Sequence, residues 1–200
     1  MTKNTIKKEL LNHAPFTLLA TIIAILLVFI ISNLTTLTHT EETFEIFHYL
    51  HIFVSGIATT AIYYRYNKSI TKAIIIGILG TIIIGTFSDI ILPFIGASIF
   101  SFPPELHIPI IQTPLIILTI AFLGTLVGLI YKKTEFPHSL HVLLSVFASL
   151  FYLLAYTTTP DIITLTISII IVTIAVVVPC CLSDIIFPLI FTKNKHRHKH

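Results

Sequence analysis

Residues 73–100 read AIIIGILGTIIIGTFSDIILPFIGASIF, with Asp89 the only charged side chain in the run. A helix crosses the hydrocarbon layer in about 20 apolar residues. This stretch is long enough to span and carries a carboxylate where water is absent. The remainder of the chain has the same character: 55% of its 200 residues are hydrophobic and 10% are charged. Soluble domains carry about 25% charged residues, so a water-soluble fold is excluded. Cys180 and Cys181 are adjacent within an apolar run. Adjacent cysteines seldom bridge to each other, so no disulfide framework follows. The net charge of +3 comes from short basic clusters beside the apolar runs, which argues against a nucleic-acid partner.

Working outward from that stretch, six apolar runs are expected as spans: 15–36, 46–64, 73–100, 108–131, 138–157 and 162–191. The third and sixth contain Pro93 and Pro188, where tilting, a kink or a break is expected. The Lys and Arg residues fall in four places: Lys3, Lys7 and Lys8; Arg65, Lys68 and Lys72; Lys132 and Lys133; and Lys193, Lys195, Arg197 and Lys199. With six spans all four lie on one side, and the opposite connections carry Glu41, Glu42, Glu45, Glu105 and Asp161. Basic loops stay on the cytoplasmic face. Both termini are therefore expected to be cytoplasmic, in the inner or plasma membrane.

Three signatures occur twice in the same order. His13-Ala14-Pro15 matches His107-Ile108-Pro109; His48, His51 and Ser55 match His138, His141 and Ser145; and Ser88-Asp89-Ile90-Ile91-Leu92-Pro93 matches Ser183-Asp184-Ile185-Ile186-Phe187-Pro188. The offsets are 94, 90 and 95 residues. Polar residues are scarce in this composition, so three ordered pairs point to duplication. Each copy holds three spans, and an odd number inserts the second copy upside down. The expected fold is an all-α polytopic integral membrane protein of six transmembrane helices in two inverted three-helix repeats. Residues 1–200 form one transmembrane domain: 1–100 are the first repeat, 101–192 the second, and 193–200 a basic His-rich cytoplasmic tail.

His at i and i+3 share a helix face, which Ser at i+7 continues. Depth along the helices groups His48, His51, Asp89 and His107 toward the outer leaflet. The inverted set is His138, His141, Asp184 and His13 toward the inner one. Imidazoles with a carboxylate suit Zn, Ni, Co or Fe(II), with Zn favoured, and not Mg or Ca. Ser55, Ser88, Ser145 and Ser183 are expected to orient the ligands, and Cys180 and Cys181 to adjoin the inner set. Histidines near helix ends also serve as interfacial side chains. A carboxylate within a span is a functional candidate by default. Gly124-x-x-x-Gly128 is a pattern that permits close helix packing.

The expected function is a small transporter or channel for a divalent transition metal, rather than an enzyme. The alternative is a membrane-embedded metal-dependent hydrolase, with metal-bound water as nucleophile and an Asp as base. A haem protein fits poorly, because neighbouring His on one helix face do not flank a ring from both sides. The expected partners are the lipid bilayer and a metal ion, with room for a homo-oligomer.

Overall fold

The computed structural model describes residues 41–102, 104–131, 135–156 and 162–192, together with Leu11, Pro15, Leu19, Ile22, Ile23 and Leu26. The side chains of residues 135, 162, 165, 177, 178 and 180–185 lie outside that description. Among the described residues all regular structure is helical: α1 (Glu41–Tyr66), α2 (Ile70–Thr86), a π-helical turn (Phe87–Ile91), α3 (Leu92–Ile99), α4 (Pro109–Gln112), α5 (Pro114–Ile130), α6 (Glu135–Tyr156) and α7 (Ile162–Ile190).

Among the described residues three continuous helices are long and apolar enough to cross a bilayer: Glu41–Tyr66, Ile70–Ile99 and Phe136–Tyr156. The chain is an all-α polytopic membrane protein. The expected first span, 15–36, lies mostly outside the described residues. The expected fourth span, 108–131, is interrupted. Pro114 disfavours the α conformation in the residue before it, and Thr113 takes φ −128° and ψ 55° between α4 and α5. That leaves α5 with 17 residues. The sixth run forms one α-helix that passes through Pro179 and Pro188 without a break.

α1 is the central helix and packs on α2, α5, α6 and α7. Its middle reads Ser55-Gly-Ile-Ala-Thr-Thr-Ala61, every residue buried. Small residues let backbones approach where lipid offers no hydrophobic drive between helices. The contact with α5 is the closest. A methyl group on Gly124 would meet the Phe53 carbonyl oxygen, and one on Gly128 would come within 2.7 Å of the Ile57 carbonyl oxygen. The Gly124-x-x-x-Gly128 pattern therefore marks a helix crossing. On the opposite faces Ile75, Leu79 and Ile83 of α2 and Leu115, Leu118, Phe122 and Leu126 of α5 are exposed. Those three- and four-residue steps present one apolar stripe per helix to acyl chains.

α1 and α6 run antiparallel. Phe44 stacks near Tyr152 (ring centroids 5.4 Å apart), Phe47 near Phe147 (5.0 Å), and His51 against His141 (5.4 Å), so numbers rise on one helix as they fall on the other. α3 closes in a Schellman motif. Ser101 takes a positive φ of 65°, and the Phe102 N–H reaches the Ala97 carbonyl at 3.1 Å. The following segment is tied to the end of α6. Glu105 N–H donates to the Tyr156 carbonyl (3.1 Å), and the Tyr152 hydroxyl donates to the Glu105 carbonyl (3.1 Å). Those two bonds determine where His107 stands.

Replacing Gly124 by Val is expected to force α1 and α5 apart, because the opposing atoms are backbone and cannot rotate away. Overpacking of this kind costs about 1–3 kcal/mol. Thermal unfolding in detergent should show a lower midpoint for Gly124→Val than for Ala121→Gly, which only removes a methyl from the same seam.

Candidate metal centre

Pro93 shapes the site. It has no N–H, and its ring crowds the carbonyl of the preceding turn. The chain responds with the π-helical turn Phe87–Ile91, in which the Leu92 N–H reaches back to the Phe87 carbonyl. In an α-helix that donor would serve Ser88. In a π-helix the Ser88 carbonyl would wait for residue 93, which is proline. The carbonyl is thus left without its helical donor. The Ser149 hydroxyl of α6 fills the gap at 3.1 Å, sharing its hydrogen with the Ser145 carbonyl at 2.7 Å. Single π turns often mark functional positions, and this one carries Ser88 and Asp89 into the core.

Asp89 is fully buried. Its Oδ2 lies 2.8 Å from His48 Nδ1 and 2.6 Å from His51 Nδ1. Its Oδ1 accepts hydrogen bonds from Ser145 Oγ (2.6 Å) and Ser88 Oγ (3.0 Å). An ionised carboxylate needs such donors in the membrane interior, where an unpaired charge costs several kcal/mol. With Nδ1 of each ring donating, the lone pairs sit on the Nε2 atoms. His51 Nε2 is buried with no hydrogen-bond partner.

His48, His51 and Asp89 form a buried trio whose ligand atoms lie within 4.8 Å of one another. This cluster is able to coordinate a metal ion, and it is the only such group among the described residues. Two imidazoles and one carboxylate are a donor set suited to borderline divalent ions. Zn is one member of that class.

Several expected ligands stand elsewhere. His107 does not join the trio. Its ring stacks on Tyr156 (5.0 Å), and its Nε2 lies 3.6 Å from Glu45 Oε1. Phe44 touches both histidines, stacked on His48 at 5.5 Å and edge-on to His107 at 6.0 Å. Ser145, expected to support the inner set, supports Asp89 of the outer one, because antiparallel packing brings α6 across to the π turn. His138 and His141 are buried and sit edge to face at 4.9 Å. His141 also stacks on His51. Ser55 is buried on α1. His13, and the side chains of Asp184, Ser183, Cys180 and Cys181, lie outside the described residues.

The sequence reading missed Phe44 and Ser149. Phe44 carried no signal beyond its apolarity. Ser149 continues the His138, His141, Ser145 face by one further turn, and its counterpart at the offset of 90 is Thr59, also buried. No protein-family model matches the chain, and neither does any curated protein or solved structure compared with it.

Ser145→Ala should strip Asp89 Oδ1 of its shorter hydrogen bond and leave a buried acceptor underused. Such a loss costs about 1–3 kcal/mol. Thermal melts in detergent should place Ser145→Ala below the wild type; equal midpoints would contradict the geometry.

Proposed function

We propose that the protein is a small membrane transporter or channel for a divalent transition metal, with Zn the first ion to test. The observation that carries this reading is a continuous buried file of imidazoles. His48 and His51 close on Asp89, His51 stacks on His141 (5.4 Å), and His141 abuts His138 (4.9 Å). Polar side chains in membrane helices mark ion pathways. A hydrolase needs one centre open to substrate and has no use for a file of rings between helices.

The file also supports two inverted halves, 1–100 and 101–192. His51 and His141 are equivalent positions at the offset of 90, and they meet each other. Equivalent residues meet where a pseudo-two-fold axis passes through a contact. Ser145, of the second half, likewise crosses to Asp89 of the first. On this reading His138, His141, Asp184 and His13 form the second ligand set. The two sets adjoin at the axis, so an ion handed from His51 to His141 passes from one half to the other. The basic loops lie on the cytoplasmic side of this path.

The test is Zn²⁺ binding to purified protein, followed by uptake into proteoliposomes. His51→Ala and Asp89→Asn each remove or weaken a ligand, so each should reduce Zn²⁺ binding by at least the roughly 10- to 100-fold seen when a metal site loses a supporting group. Uptake should fall to the level of protein-free vesicles. His141→Ala should impair uptake more than equilibrium binding at the Asp89 centre. Wild-type binding and uptake in His51→Ala and Asp89→Asn would refute the reading.

A further inference from the structure

The file does not end at His48. Beyond Phe44 lies a second group of potential ligands: Glu45 and His107, with Tyr156 against them and Glu41 and Glu105 nearby. The spacing of its central pair differs from that of the Asp89 trio. His48 and His51 approach Asp89 at 2.8 and 2.6 Å, the distances of hydrogen bonds. Glu45 Oε1 and His107 Nε2 stand 3.6 Å apart, beyond a good hydrogen bond. Two ligands about 2.05 Å from a tetrahedral Zn are separated by about 3.3 Å. The pair is already close to a metal-bridged separation.

Two further observations mark this as a built position. His107 Nε2 is a buried atom with no hydrogen-bond partner. The Tyr156 hydroxyl is likewise buried without one, on a residue only 9% exposed, although Glu41, Glu45 and Glu105 all act on it electrostatically. A phenol and an imidazole among carboxylates, with neither satisfied by them, leave room for a cation that would draw the group together. Glu45 is 32% exposed, so an ion can reach the pair from outside the helices by way of its carboxylate.

We propose that Glu45 and His107 form a loading site for the same class of divalent transition metal, distinct from the Asp89 centre. This rests on the proposed function for its role as an entry point, and on its own geometry for the binding. Phe44 separates the two positions. Its ring is completely buried and packs on His48, His107, Tyr152 and Tyr156. An ion moving from His107 to His48 must displace it. Phe44 is thus the side chain that keeps the two sites separate.

The test is a Zn²⁺ titration of the purified full chain, repeated with Co²⁺ as a visible probe. Three proteins are compared: wild type, Glu45→Gln/His107→Gln, and Asp89→Asn. The double variant should bind one ion fewer per chain than wild type and lose one set of Co²⁺ bands. Asp89→Asn should keep those bands. Unchanged stoichiometry and spectrum in Glu45→Gln/His107→Gln overturns the loading site and leaves the Asp89 reading untouched. Loss of an ion in the double variant, with no loss in Asp89→Asn, supports the loading site and removes the Asp89 centre. Glu45 and His107 are partly exposed, so their substitution should leave folding intact. If Asp89→Asn fails to fold, wild type against the double variant decides the proposal alone.

Discussion

A carboxylate in the middle of a membrane helix must be compensated by the protein around it. Asp89 is compensated from three directions: two imidazoles on α1, one hydroxyl on α6 and one from its own neighbour Ser88. Each donor restricts its helix. α1 must present His48 and His51 on the face toward the π turn, and α6 must cross at Ser145. The close seam between α1 and α5 then follows on the other side of α1, where Gly124 and Gly128 admit its backbone. The buried charge thus specifies how the helices are arranged, at a cost that an apolar core would avoid.

Backbone and side chains solve one problem together at Pro93. The missing N–H opens the helical ladder and orphans the Ser88 carbonyl, and Ser149 satisfies it from the next helix. A straight α-helix would have closed that carbonyl internally and left Ser149 without this acceptor. The π turn therefore links α6 to the site through the main chain as well as through the carboxylate. Its repeat counterpart, near Pro188, lies in a helix that runs on as α. The two Ser-Asp-Ile-Ile-x-Pro stretches thus differ in backbone although their sequences agree.

That difference shows where sequence reading stops. The membrane fold was legible, because a long apolar run has no soluble alternative. The trio was legible too: His at i and i+3 share a face, and an acid inside a span requires partners. The hand-over between copies was not. Ser145 lies in the second His-x-x-His-x-x-x-Ser motif, and nothing in its spacing says that it crosses to Asp89 of the first. Only the antiparallel packing of α1 on α6 decides that. His107 was placed with the trio because the depth argument concerns height and ignores direction. Its actual position follows from two hydrogen bonds between the Glu105 segment and the end of α6.

The contrast between the two ligand groups bears on how an ion would move. A metal at the Asp89 centre competes with hydrogen bonds that already satisfy the carboxylate, so binding there requires the trio to rearrange. Such rearrangement reaches other helices, because Asp89 also accepts from Ser145 and the adjoining carbonyl from Ser149. The Glu45–His107 pair is tied to no comparable network and can accept an ion with little movement. If the protein moves an ion as proposed, easy loading at the edge would precede costly capture at the centre. In the proposed transport function the first step would admit the ion, and the second would couple its binding to a shift of α6 relative to α1, the helix pair whose contact includes His51 and His141.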